Sequence, residues 1–222
     1  MKPAEYPHVK ICCISSTREA DLAIKYGASA IGLVGKMPSG PGVISDELIA
    51  EIAASVPGDI DTFLLTSETT AEGIINHHRK VNTSTIQIVD RIDTEAYRTL
   101  RNKLPAIKLV QVIHVLDENS VTEAAMYAEY ADALLLDSGN PSLAVKQLGG
   151  TGRTHNWELS LKIRELVDIP IYLAGGINPA NVKDAFNFVK PYGIDLCSGV
   201  RTAGRLDEAK LKEFFDEVSA LI

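Results

Sequence analysis

Cysteine is scarce in this chain: three residues among 222, two of them the adjacent pair Cys12-Cys13 and the third Cys197. That number and spacing give no disulfide framework and no spaced zinc motif, which leaves reduced core residues or chemistry. Positive charge is also short. With 22 Lys and Arg against 29 Asp and Glu, the formal net charge of −7 argues against nucleic acid or an anionic membrane as partner, while a local basic pocket for a small phosphorylated substrate stays open. No apolar run approaches membrane-spanning length, and Met1-Lys2-Pro3-Ala4-Glu5 does not lead into a signal-peptide core. A cytoplasmic location is therefore expected. No His/Asp/Glu set has metal-ligand spacing, so no metal is expected, and no Ser-His-Asp set can be argued. The sequence does not fix an oligomeric state.

With 45% hydrophobic and 23% charged residues, and no linker or compositional break, residues 1–222 read as one domain with one sizeable core. A short β-type run, Val9 to Ile14, precedes a helical stretch from Thr17 to Gly27. Seven further strand-like runs follow, starting at Ala30, Thr62, Thr85, Ile107, Ala133, Ile169 and Asp195, each with a helical run after it. Strands separated by helices imply parallel pairing, and eight such units imply an α/β fold of the closed (β/α)8 TIM-barrel type. An open doubly wound sheet would put a GxGxxG after its first strand, where this chain has Lys10-Ile11-Cys12-Cys13. Two long inserts, Lys36 to Val43 and Ser138 to Asn156, both follow strands, on the face where barrel enzymes keep their active sites.

The stretch Leu173-Ala174-Gly175-Gly176-Ile177-Asn178-Pro179 reads as a buried strand breaking at two glycines into a helix, with Asn178 as N-cap and Pro179 at the first helical position. Backbone amides at such a helix start suit an anion. Ile194 to Val200 repeats the plan of a strand ending in Ser198-Gly199, and two adjacent strand ends of this kind are where barrel enzymes hold phosphate.

Strand alternation puts Lys10, Cys12 and Ile14 on one face and Val9, Ile11 and Cys13 on the other, so only Cys12 of the pair should point inward with the lysine. A lysine nearby favours a thiolate, although a strand cysteine also serves as a small buried hydrophobe. Asp137 ends the apolar run Leu134-Leu135-Leu136; it is costly to bury unless paired or used, and a cap or turn is the other reading. Asp195 either binds a substrate hydroxyl or pairs with Lys10. His114 either lines the pocket or is solvated, whereas His77 and His78 are expected on the surface of a helix.

Lys10-Ile11-Cys12, Leu134 to Asp137, Gly149-Gly150-Thr151-Gly152 with Trp157, the glycine stretch at Gly175 and the run Asp195 to Val200 together resemble the phosphoribosylanthranilate isomerase family of tryptophan biosynthesis. The resemblance spans nearly the whole chain. It implies an Amadori rearrangement without metal or organic cofactor, with Asp137 as the general acid that opens the ribose ring and Cys12 as the general base that takes the C2′ proton. It also implies phosphate contacts at Gly149, Gly150, Gly175, Gly176, Ser198 and Gly199, and substrate contacts at Lys10 and Asp195. Four positions depart from the family pattern: Cys13 stands for glycine, Gly42 for the arginine expected on the anthranilate carboxylate, Val89 for histidine and Arg201 for glutamate. The carboxylate contact is then expected at Arg91, Arg153 or Lys36; failing these, Gly42→Arg is expected to improve substrate use. A related isomerase acting on another phosphorylated aminosugar and a non-catalytic phosphate-binding barrel are the competing readings.

Overall fold

The computed structural model describes residues 7–221 apart from 141, 142, 144, 145, 147, 150, 151 and 153. Strands and helices alternate as β1 (His8–Ile11), α1 (Thr17–Tyr26), β2 (Ala30–Val34), α2 (Asp46–Ser55), β3 (Asp61–Thr66), α3 (Ala71–Val81), β4 (Thr85–Ile88) and α4 (Thr94–Lys103). The second half follows as β5 (Lys108–His114), α5 (Asn119–Ala128), β6 (Ala133–Asp137), α6 (Trp157–Leu166), β7 (Ile171–Leu173), α7 (Val182–Val189) and β8 (Gly193–Leu196). A hairpin of β9 (Arg201–Thr202) and β10 (Arg205–Leu206) then leads into α8 (Glu208–Ser219). Strands β1 to β8 are hydrogen-bonded in chain order and parallel, with β8 returning to β1, so the expected (β/α)8 barrel is the observed fold.

Local chemistry sets the helix starts. Ser16, Ser45 and Thr70 accept hydrogen bonds from the amides of Glu19, Leu48 and Gly73, each satisfying a donor that the first helical turn leaves without a partner. Alternation along the strands then divides the apolar residues into two cores. Ala30, Phe63, Leu65, Val112, Leu135 and Tyr172 pack inside the barrel, while Ile31, Leu33, Leu64, Leu134 and Leu136 pack outward against the helices.

A charge sits in the inner layer. Lys10 is fully buried, and its Nζ donates to Asp195 Oδ1 at 2.6 Å across the β1–β8 register. The same Nζ lies 5.1 Å from the centre of the Phe63 ring. Gly32 makes room for it, because a Cβ there would stand 3.1 Å from Nζ and 2.8 Å from Cys12 Sγ. Burial opposes the ammonium charge, but the attraction and hydrogen bond of Asp195, with the fields of Cys12 and Cys13, together outweigh it and hold Lys10 protonated above its ordinary range.

Alternation fails at the end of β1. The strand stops at Ile11, and Cys13 takes a left-handed backbone conformation, φ 62°. Cys13 therefore turns into the inner cluster beside Cys12, and Ile14 swings to the outer core, against the expectation of Cys12 and Ile14 on one face and Cys13 on the other. Two other boundaries move. α7 begins at Val182 with Asn181 as its cap, after Asn178-Pro179-Ala180 has made a turn in which Asn178 Oδ1 accepts from the Ala180 amide. β8 ends at Leu196, and Ser198–Val200 is a short 3-10 turn rather than strand. His78 is buried, its Nε2 donating to the Thr83 carbonyl at 2.8 Å, and His77 is half-buried against Thr66, so neither is the surface residue expected.

Breaking the Lys10–Asp195 pair leaves a buried ammonium with no counter-charge. Asp195→Asn is expected to destabilise the protein by about 3–5 kcal/mol in urea unfolding at pH 7. Because the lysine is held protonated above its unfolded value, its share of this stability is complete below about pH 10 and is lost only as pH rises further. A loss below about 1 kcal/mol would show that the barrel does not depend on the pair.

Candidate active site

The strand ends open into a cavity that, with its open mouth included, spans about 710 Å³. Cys12, Asp137, Gly149, Gly175, Gly176, Asp195 and Ser198 all line it. The ends of β1, β6, β7 and β8 and the β6–α6 loop thus bring together most of the residues singled out from sequence. Lys10 lies beneath the floor and acts through Asp195, and Gly199 stands directly behind Ser198. Gly150 and Arg153 lie outside the described residues.

Asp137 closes β6 opposite His114 of β5. Its Oδ1 accepts from the Ser138 amide at 2.8 Å, so it forms a turn as well as facing the cavity. Burial pushes its pKa up; the Ser138 amide and the positive fields of His114 and Lys10 oppose this, and Asp195 adds to it. A carboxyl with this balance keeps its proton to higher pH than an exposed aspartate, as a proton donor requires. His114 is buried, its Nε2 donating to the Val89 carbonyl at 3.0 Å, and its Nδ1 has no hydrogen-bond partner.

Gly149 roofs the acid: a Cβ there would lie 2.6 Å from Asp137 Oδ2. Gly152 is the loop glycine nearest the other end of the cavity, where its Cβ would stand 3.5 Å from Ser198 Oγ. At that end Gly175 and Gly176 adopt positive φ, 82° and 67°, while the Gly176 carbonyl is held by the side-chain amides of Asn178 and Asn181.

Three thiols share one wall. Cys13 Sγ donates to the Pro41 carbonyl at 3.7 Å, and the neighbouring thiols of Cys12 and Cys197 together with burial push its pKa up. Cys197 is pulled down, first by its contact with Cys13, with the Arg201 guanidinium assisting against burial. Cys13 and Cys197 were not singled out as site residues from sequence, because strand alternation ends one residue before Cys13 and its left-handed turn leaves no periodic signal.

Among the described residues no arginine or lysine lines the cavity. Arg91 is held on the exterior by a two-pronged bond to Glu123 at 2.6 and 2.7 Å, and Lys36 is exposed outside the lining. Lys146 on the β6–α6 loop pairs with Asp90, and its carbonyl accepts from Ser39, which ties that loop to β4 and to the β2–α2 loop. No group of three or more His, Cys, Asp or Glu is placed to hold a metal among the described residues.

Gly42 and Cys13 occupy one space. Gly42 has φ 80°, and a Cβ on it would lie 2.5 Å from Cys13 Cβ. Steric crowding by Cys13 runs against the expected gain from Gly42→Arg. The single change is expected to lower stability by about 1–3 kcal/mol through overpacking and to lower activity. Adding Cys13→Gly, which suits φ 62° and removes the obstructing atoms, should recover at least half of the loss in a double-mutant cycle read by thermal unfolding. Strict additivity of the two changes would refute the shared space.

The family profile described as "PRAI: N-(5'phosphoribosyl)anthranilate (PRA) isomerase" matches residues 9–217. A protein of Methanosarcina acetivorans named N-(5'-phosphoribosyl)anthranilate isomerase is 32% identical over 223 aligned residues, covering 95% of this chain and 92% of its own. The crystal structure of phosphoribosyl anthranilate isomerase from Thermotoga maritima superposes with a TM-score of 0.81 at 27% identity, covering 96% of this chain and 99% of that one. A second solved phosphoribosyl anthranilate isomerase, in complex with reduced 1-(o-carboxyphenylamino)-1-deoxyribulose 5-phosphate, superposes with a TM-score of 0.80 at 26% identity over 96% of this chain and 99% of its own.

Proposed function

This chain belongs to the N-(5'-phosphoribosyl)anthranilate isomerase family, and we propose that it carries out that isomerisation with Cys12 as general base and Asp137 as general acid. The observation that supports this most is that a buried carboxyl with a raised pKa and a buried thiol wall the same cavity from β6 and β1. Asp137 gives its proton to the ring oxygen of the phosphoribosyl group as the C1′–O bond breaks, leaving an iminium at C1′. The Cys12 thiolate then removes the C2′ proton, and the resulting enolamine tautomerises to the 2-ketone. Neither step calls for a metal or an organic cofactor.

The substrate phosphate is assigned to the amides of Gly175-Gly176 and Ser198-Gly199, where two adjacent strand ends present backbone donors at one end of the cavity. Asp195, with one oxygen on Lys10, offers its carboxylate to a substrate hydroxyl. The chain is read as one domain over 1–222 working in the cytoplasm, in keeping with three free thiols. The lack of a lysine or arginine in the described lining supports a second reading, an isomerase of the same chemistry on a phosphorylated aminosugar without a carboxylate.

Loss of phosphoribosylanthranilate fluorescence measures turnover directly. Cys12→Ser and Asp137→Asn should each lower kcat by about 10²-fold or more, and full activity in either variant refutes its assigned role. In the wild type kcat should fall on the alkaline side as Asp137 loses its proton, at a pH above the ordinary carboxylate range. Asp137→Asn should lose that limb.

Gly199→Ala tests the phosphate end. The added Cβ would lie 2.1 Å from the Ile177 carbonyl and 2.9 Å from Asn178, both backbone-bearing neighbours that must move apart. KM should rise by about tenfold or more as the two strand ends separate, matching loss of one charge-assisted contact. An unchanged KM in a folded variant would place the phosphate elsewhere.

A further inference from the structure

Arg201 is an enclosed arginine that ties the cavity wall to α1 and, through the Gly204 carbonyl at 3.1 Å, to its own hairpin. Its side chain is 7% exposed, and it crosses from the start of β9 to the end of β1. One terminal nitrogen donates to the Cys13 carbonyl at 2.6 Å and to the Cys12 carbonyl at 3.2 Å. Both terminal nitrogens also bond Glu19 of α1 at 3.1 Å, and the positive charge of the guanidinium helps to pull the Cys197 pKa down. Its Nε is buried without a hydrogen-bond partner.

The peptide it grips is the one that needs holding. Cys13 carries a left-handed backbone that a side-chain-bearing residue adopts at a cost of about 1–2 kcal/mol. That turn sets where both Cys12 and Cys13 point. Relaxing it would restore strand alternation and carry the Cys13 thiol out of the inner cluster.

We propose that Arg201 is the positioning residue for the base: it clamps the Cys12-Cys13 turn by its two carbonyls and sets a positive charge beside the wall that Cys12, Cys13 and Cys197 form. This rests on the assignment of Cys12 as base. Other charges face the same cluster. Lys10 approaches it from beneath and favours the negative form, Asp195 of β8 opposes that form, and Glu19 partly neutralises Arg201 from α1. Lys210 of α8 bonds the Arg201 carbonyl at 3.0 Å and fixes the backbone behind it.

The test uses the whole protein in three forms: wild type, Arg201→Gln and Arg201→Lys. Two profiles are taken for each, kcat/KM against pH with phosphoribosylanthranilate, and the rate of iodoacetamide alkylation at each cysteine against pH. In Arg201→Gln the low-pH limb of kcat/KM and the alkylation midpoint of Cys197 should both move up by about one unit or more, the usual effect of losing a facing opposite charge. Activity near neutral pH should fall about tenfold or more and recover in part at higher pH. Arg201→Lys should keep the limb near its wild-type position while lowering kcat, since an ammonium keeps the charge but cannot grip two carbonyls and Glu19 at once. Glu19→Gln serves as the control of opposite sign: freeing the guanidinium from its carboxylate should move the limb down, and it keeps the question answerable if Arg201→Gln does not fold. A uniform loss of activity at every pH, with both limb and midpoint unmoved, overturns the proposal. Full activity in Cys12→Ser would instead sink the base assignment, whatever Arg201 does to the thiols.

Discussion

A lysine buried at the centre of a barrel constrains everything around it. Its charge cannot be left alone in a dry interior, so the neighbouring strand must supply a carboxylate in register, and Asp195 does so where β8 closes onto β1. The strand on its other side must withdraw its side chain, which it does at Gly32, and a ring face must lie nearby, which Phe63 provides. Replacing both charges by apolar side chains of the same volume would cost little in principle. Removing one alone is costly, and the pair therefore ties the closing seam of the barrel to a single register.

That seam also decides where the cavity sits. With Lys10 and Asp195 filling the layer below, the next inward positions are Cys12 and the end of β8, and these become floor and wall of an opening rather than packed core. Asp137 stands on the same wall system at the end of β6, where burial raises its pKa and where it is close enough to Lys10 and Asp195 to sense both charges. The same side chains that stabilise the barrel thus set the field in which an acid and a base would act.

The loops close the opening with contacts that carry little side-chain bulk. Gly149 lies over the Asp137 carboxyl, Gly42 lies against Cys13, the Ser39–Lys146 bond holds the two long loops together, and the Asp90–Lys146 pair ties the second of them to the end of β4. Where a residue larger than glycine does occupy a left-handed turn, at Cys13, a buried arginine grips the adjoining carbonyls. Steric room and hydrogen-bond supply are matched position by position along this rim.

The alternation of apolar strands with helices determined the barrel from sequence, because parallel pairing of eight strand–helix units leaves one closed solution and because six of the eight helices start at a side chain that caps them. Two glycine-bearing strand ends, the isolated Asp137 after an apolar run and the Lys10/Cys12 spacing were legible for the same reason: each is a local pattern. Where sequence left readings open, Asp195 pairs with Lys10 and still faces the cavity, while His114 takes neither of its two readings, being buried against Val89 and outside the cavity lining. The structure also decided what no periodicity encodes. A single left-handed residue reversed the facing of Cys13 and Ile14, a turn at Asn178 delayed α7 to Val182, and Arg201 found Cys12 and Cys13 from nearly the far end of the chain. Such features depend on atoms far apart in sequence competing for one small volume, and only the closed barrel brings them into contact.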